Sequence, residues 1–125
     1  MIDYKEIISK YCAGNTELLH ILLTHSRQVA DRALTILAAH PEWVESGEVD
    51  PVFVEEAAML HDIGVVLCDA PKIHCLGTHA YIEHGYLGAE ILRQEGLPKH
   101  AQVAERHTGK GITYEQIVRE GLPIP

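Results

Sequence analysis

The chain has 125 residues, enough for one hydrophobic core but not for two, so a single domain over residues 1–125 is expected. Its apolar residues, 46% of the total, occur in runs of only a few, which excludes a membrane-spanning helix. A formal net charge of -8 disfavours a nucleic-acid polymer as partner, because binding to a phosphate backbone requires an excess of Lys and Arg.

Apolar residues recur at helical spacing along most of the chain. Asn15 or Thr16 is suited to cap the second helix, and Pro41 should end it. Asp50-Pro51 supplies an N-cap followed by a proline at the first helical position of the third. The predicted helices cover about residues 3–12, 16–40, 51–62, 81–95, 97–107 and 113–121.

Two longer segments between the helices are predicted to be loops. Residues 42–49 are polar, and residues 65–80 are mixed in character and contain Pro71 and Gly77. No segment alternates between apolar and polar residues with a period of two, as a half-buried strand would. The predicted fold class is therefore all-α, a bundle of about five to six helices.

Histidine is unusually frequent, with nine residues against a single Phe and a single Trp. Taken alone, each histidine on an apolar helix face is expected to be a hydrogen-bonded core residue. Four such histidines and one aspartate are easier to explain together, because helix bundles build metal sites from ligands that project inward from facing helices. The predicted ligands of this buried site are His25, His61, Asp62, His84 and His107.

Other polar residues are candidates for proton donation or substrate binding beside that site. His79 follows the central loop and could line a pocket as a proton donor. Lys110 lies three residues after His107 in a turn flanked by glycines, a setting suited to an anion, and Lys72 is the other candidate. The ordinary alternative for each is a solvated side chain.

The motif His61-Asp62-Ile63-Gly64, preceded by His25, resembles the HD superfamily of metal-dependent phosphohydrolases and in particular its HDIG branch. The segments at residues 84–92 and 105–109 look like the family's next two ligand helices. The resemblance runs in order over roughly residues 20 to 122. The same segments are also similar to HD-type diadenosine tetraphosphate hydrolases.

The resemblance implies that Asp62 bridges two divalent transition metal ions. His25 and His61 would bind the first ion, and His84 and His107 the second. Imidazole-rich ligation suits Fe, Mn, Zn or Ni. A hydroxide bridging the ions would attack phosphorus, while Asp62 and His79 would be the catalytic residues and Lys72 or Lys110 would bind the substrate phosphate.

The family normally supplies one further Asp to the first metal from a later helix. This chain has no such residue, because its last aspartate is Asp69. We expect that the helix carrying the final ligand is absent from the sequence as given. A weakened first metal site is the alternative.

The expected function is hydrolysis of a small phosphoester, such as a nucleotide or a dinucleoside polyphosphate. A cyclic-dinucleotide phosphodiesterase is disfavoured, since Val65 replaces the lysine usual in that branch and no Gly-Tyr-Pro motif occurs. Two alternatives share the same ligands: a mixed-valent di-iron oxygenase of the superfamily, and a non-catalytic metal-binding or sensing module.

Three cysteines form no CxxC pair, and an odd number argues against a disulfide framework. The first residues lack the basic and apolar regions of a secretory signal. A cytoplasmic location is therefore expected, with a small phosphorylated substrate as partner and neither nucleic-acid polymer nor membrane.

Overall fold

A computed structural model describes residues 2–106 of the chain. Within that range the fold is all-α, as predicted, with six α-helices and one very short sheet. The predicted helix at residues 113–121, and the candidate residues His107 and Lys110, lie outside the described residues. The helices are α1 (Tyr4–Cys12), α2 (Thr16–Ala38), α3 (Pro41–Glu45), α4 (Pro51–Leu60), α5 (His84–Gln94) and α6 (Pro98–Arg106).

Side-chain caps begin three of the helices. The carboxylate of Asp3 accepts a hydrogen bond from the Glu6 amide at 3.0 Å at the start of α1. Asn15 caps α2 in the same way, at 3.2 Å from the Leu18 amide. Each cap satisfies an amide that would otherwise lack a partner in the first turn, so the predicted starts of α1 and α2 are confirmed.

Helix α4 begins as predicted, but the segment before it differs from the prediction. Asp50 caps α4 through the Val52 amide at 3.0 Å, with Pro51 in the first turn. Residues 42–49 were expected to be a loop, yet five residues from Pro41 form α3. Proline fixes φ at a helical value at position N1, so the residue that ends α2 also starts the next helix.

The segment between α4 and α5 has local structure but no long element. Three short 3-10 helices cover Ile63–Leu67, Pro71–Ile73 and Tyr81–Glu83. Between them, β1 (Asp69–Ala70) pairs antiparallel with β2 (Cys75–Leu76). The side-chain amide of Asn15 donates to the His74 carbonyl at 2.7 Å, which ties this segment to the start of α2.

The core lies between α2 and α4, with α5 and α6 packed beside them. Helix α2 contributes the predicted stripe of apolar residues, and α4 is buried on nearly all sides. None of the helices within residues 2–106 combines the length and the apolarity needed to cross a membrane. The buried stripe of α2 consists of Leu18, Leu22, Val29, Ala33 and Leu37.

Two glycines allow α5 to approach the end of α4 more closely than side chains would permit. A Cβ atom added to Gly64 would overlap the carbonyl group of His84 and lie 2.5 Å from the amide nitrogen of Gly88. A Cβ atom on Gly88 would lie 3.1 Å from the Gly64 nitrogen. This contact places the start of α5, with His84, against the turn that carries His61 and Asp62.

Candidate metal centre

Asp62 follows the end of α4, at a position where the backbone turns into a 3-10 helix. Leu60 is the last residue of α4, His61 is its C-cap, and the Val65 amide donates to the Asp62 carbonyl at 3.0 Å. The His61 side chain is fully buried, and the Asp62 side chain is only 13% exposed. The chain therefore carries an imidazole and a carboxylate into the core side by side.

Three histidine rings surround the Asp62 carboxylate. Oδ2 lies 3.0 Å from Nε2 of His25 on α2 and 3.3 Å from Nε2 of His61. Oδ1 lies 3.3 Å from Nε2 of His84 on α5. Four of the five predicted ligands thus meet at one point, while the fifth, His107, lies outside the described residues.

Backbone carbonyls fix the orientation of two of these rings. Nδ1 of His61 lies 2.5 Å from the Ala58 carbonyl, and Nδ1 of His84 lies 2.6 Å from the Tyr81 carbonyl. A carbonyl only accepts, so each Nδ1 must be the donor, and Nε2 of a neutral ring then presents a lone pair. Metal-binding histidines are held in this way, with the second ring nitrogen donating to a carbonyl or carboxylate.

The resulting arrangement requires a positive charge. In the neutral tautomers, the lone pairs of two Nε2 atoms face the oxygens of a carboxylate, and these groups repel one another. A proton on the ring or a metal ion between the groups removes the repulsion. The hydrogen bond with Asp62 raises the pKa of His25. For His84, burial lowers the pKa, but its bonds to Asp62 and the Tyr81 carbonyl outweigh that effect and raise it.

The spacing of the donor atoms fits a divalent transition metal. The nearest ligand atoms of His25, His61 and Asp62 all lie within 4.8 Å of one another. With metal–nitrogen bonds of ~2.1 Å, neighbouring ligands on one ion are ~3.0 Å apart in octahedral and ~3.4 Å apart in tetrahedral geometry. The observed separations of 3.0 and 3.3 Å from Asp62 fall in this range.

Two of the candidates for proton donation and phosphate binding, His79 and Lys72, lie within the described range but outside the cluster around Asp62. His79 is half-exposed, and its Nδ1 is 3.4 Å from a carboxylate oxygen of Glu83. Lys72 is exposed in the short helix that precedes His74. Neither residue lines the cavity beside Asp62, so their roles stay predictions.

A cavity of about 230 Å³ opens beside the cluster, with His25 and Asp62 in its wall. Tyr81 also lines it, which the sequence did not suggest: this residue was expected to begin the helix over residues 81–95, but it lies in a 3-10 helix that precedes α5. His100 is a second omission. It is buried, and its Nε2 lies 2.9 Å from Oε1 of Glu56.

A family model described as HD domain matches residues 22–123. The chain belongs to the HD domain family. HD domains form a superfamily of the metal-dependent hydrolase type. The matched residues include every ligand position that was predicted from the motif. The four side chains that meet in the structure, those of His25, His61, Asp62 and His84, all lie within the matched region.

The HD domain is also similar to parts of longer curated proteins. It is 47% identical to an uncharacterized protein of Methanocaldococcus jannaschii over 61% of this chain and 39% of that protein. It is 30% identical to the tRNA (cytidine(56)-2'-O)-methyltransferase of Thermoplasma volcanium, over 94% of this chain and 28% of the enzyme. The Picrophilus torridus enzyme of the same name is 36% identical over 60% of this chain and 19% of its own length.

The matched region thus spans well under half of each of these relatives. No solved structure matches the chain.

Proposed function

We propose that this HD domain is a metal-dependent phosphohydrolase that acts on a small phosphoester. The observation that carries the proposal is the position of Asp62, whose two carboxylate oxygens are approached by three imidazole Nε2 atoms from three segments of the chain. A carboxylate with its oxygens directed to different histidines can bridge two metal ions. Fe, Mn, Zn or Ni suits this nitrogen-rich ligand set better than Mg or Ca.

The geometry of the carboxylate supports the division of the ligands that the resemblance implies. His25 and His61 share Oδ2, whereas His84 approaches Oδ1. We assign the first pair to one ion, and His84 with His107 to a second. Divalent ions at this position would lower the pKa of a bound water and neutralise charge on the phosphoryl group. The protein holds the ligand atoms in place through the Ala58 and Tyr81 carbonyls.

Residues outside the cluster complete the proposal. His79 would protonate the leaving oxygen, with Glu83 beside its ring, and Lys72 or Lys110 would bind the phosphate. A nucleotide or dinucleoside polyphosphate is the proposed substrate, and the cytoplasm the proposed location. Methyl transfer is not proposed, because the chain corresponds to 28% of the Thermoplasma methyltransferase.

Turnover with defined metals tests the proposal. Metal-free protein would be reconstituted anaerobically with Mn²⁺ and assayed on a panel of phosphomonoesters, nucleotides and dinucleoside polyphosphates. We expect phosphate release by the wild type, and loss of at least 10³-fold in kcat/KM for Asp62→Ala. Asp69→Asn, which changes an exposed carboxylate on β1, is the matched control and should keep full activity.

The other outcomes separate the alternatives. Activity that requires iron and O2, with no anaerobic hydrolysis, would indicate an oxygenase instead. A protein that binds metal but turns over no substrate on the panel would be a binding module. A fully active Asp62→Ala variant would contradict the assignment of the site itself.

A further inference from the structure

The cavity beside the metal centre is lined mainly by apolar groups. His25 and Asp62 form its polar edge, so the ligand cluster and the cavity are continuous. None of the lining residues within the described part of the chain is a lysine or arginine. The rest of the wall consists of Leu18, Ile21, Leu22, Val65, Ile73 and Tyr81.

The placement of these residues follows from helical geometry and from the connection to α5. Ile21 and Leu22 lie three or four residues before His25 on α2, so the ligand and the apolar wall share one helix face. Ile73 and Tyr81 close the opposite side from two of the short 3-10 helices. The bond from Asn15 to the His74 carbonyl, at 2.7 Å, holds Ile73 over α2.

The volume of the cavity limits the size of the group that it can hold. A dry apolar cavity of 150 Å³ is known to hold benzene, so about 230 Å³ accommodates one ring with a substituent. A charged group would lose its hydration against this wall without a compensating partner. A polyol would leave hydroxyl groups without hydrogen-bond partners.

We infer that this cavity binds an apolar group of about the size of one ring, attached to the phosphoryl group of the substrate. The inference rests on the proposed hydrolase activity and changes the preferred substrate class. Because the group attached to the phosphoryl group of a nucleotide is a sugar, the inference favours phosphoesters of aromatic or other apolar alcohols over nucleotides and other esters of polyols. The metal centre binds the phosphoryl group of such a molecule. The apolar face of α2, together with Ile73, binds the apolar group. Ile21 and Ile73 then determine specificity.

The test compares substrates with similar leaving groups but different polarity. Benzyl phosphate and glycerol 3-phosphate both release a primary alcohol, so a difference between them reports binding rather than leaving-group chemistry. We expect kcat/KM to be at least tenfold higher for benzyl phosphate. Ile21→Ala and Ile73→Ala should lower it at least fivefold for benzyl phosphate and less than twofold for glycerol 3-phosphate.

A matched control exists on the same helix. Ile36 is also a partly buried isoleucine of α2 that packs against the core, but it does not line the cavity. Ile36→Ala should therefore leave the ratio between the two substrates unchanged. An equal change of that ratio in Ile36→Ala would overturn the inference.

A binding measurement keeps this inference separable from the proposed function. Calorimetry on the Mn²⁺-loaded protein would compare benzylphosphonate with methylphosphonate, neither of which is hydrolysed. Binding of benzylphosphonate at least tenfold tighter, lost in Ile73→Ala, supports the cavity assignment even if no substrate is turned over. Equal or absent binding of the two phosphonates overturns it, even if the protein proves to be an active hydrolase.

Discussion

At the residue scale, the neighbours of Asp62 determine the electrostatic environment of its carboxylate. Its side chain is 13% exposed and meets three imidazole nitrogens within 3.3 Å. Burying a carboxylate costs several kcal/mol unless a positive charge is close. Because the Ala58 and Tyr81 carbonyls occupy the Nδ1 donors of two rings, that charge must come from a ring proton or a metal ion.

The cysteines offer a prediction at the same scale. Burial raises the pKa of Cys68 to about 11, and it also raises the pKa of Cys12 and of Cys75. A raised pKa means less thiolate, so at pH 8 roughly one Cys68 thiol in a thousand is ionised. We expect a thiol reagent to modify fewer than one cysteine per chain of the native protein within minutes. In denaturant it should modify all three cysteines. Rapid reaction of the native protein would contradict this description.

The sequence predicted which side chains meet around Asp62 better than it predicted their surroundings. His25, His61 and His84 each stand on or end an apolar helix face, a local pattern that sequence spacing reveals. The partners that orient them could not be predicted, since backbone carbonyls carry no residue-specific signal. Ile73 and Tyr81 were also missed. Ile73 lies in a segment without regular spacing, and Tyr81 lies in a 3-10 helix where the start of a longer helix was predicted.

At the scale of elements, the contact between α5 and the end of α4 depends on Gly64. A side chain there would overlap backbone atoms of α5, which cannot move as a flexible side chain can. We expect Gly64→Ala to reduce the free energy of unfolding by about 3 kcal/mol and to weaken metal binding, since α5 carries His84. Chemical denaturation and metal titration of the same samples would measure both effects.

Gly88→Ala is the graded control for that prediction. Its Cβ atom would lie 3.1 Å from the Gly64 nitrogen, a tight approach that a small shift relieves. Its cost should therefore be smaller than that of Gly64→Ala. Equal stability of Gly64→Ala and the wild type would show that α5 does not need this close approach.

A buried hydrogen-bonded pair joins α4 to α6. Glu56 Oε1 lies 2.9 Å from His100 Nε2, and Glu56 Oε2 accepts a hydrogen bond from the Ile2 amide at 3.0 Å. Leaving a buried hydrogen-bonding group without its partner costs about 1–3 kcal/mol, so Glu56→Ala, which removes the partner of both His100 and the Ile2 amide, should be clearly destabilising. Glu105→Ala, which removes an exposed pair with Arg93, should cost less than about 1 kcal/mol.

Thermal and chemical unfolding would measure both substitutions. Similar costs for the two glutamates would contradict the assignment of Glu56 to the core. The pair could not be predicted from the sequence, because its members are 44 residues apart. The helix boundaries could be predicted where caps and prolines mark them, as at Asn15 and Asp50. Helix α3 was missed because its five residues are too few for apolar residues to recur at helical spacing.

At the scale of the whole molecule, the negative charge of the chain leads us to expect weak binding of RNA. The formal net charge is -8, and no excess of Lys and Arg is available to replace the counterions of RNA. We expect the isolated chain to bind tRNA with a Kd weaker than about 10⁻⁴ M at physiological salt, as judged by mobility shift. Micromolar binding that weakens steeply with salt would contradict this expectation.

The all-α fold could be predicted from helical spacing, and the meeting of four candidate side chains around Asp62 from the motif and its spacing. The cavity could not, because it forms only where α2 meets the segment between α4 and α5. Its wall combines one helix face with residues of three short 3-10 helices. Such a surface is a property of the packed molecule rather than of any one element.

The central claim is that the Asp62 carboxylate is the shared ligand of a metal centre. Calorimetric titration of Mn²⁺ into metal-free protein tests it most directly, with wild type, Asp62→Asn and the exposed control Asp69→Asn compared after circular dichroism has confirmed their folding. We predict binding of at least one ion per chain to the wild type and to Asp69→Asn, and affinity at least 100-fold weaker for Asp62→Asn. Unchanged Mn²⁺ affinity in folded Asp62→Asn would contradict the claim.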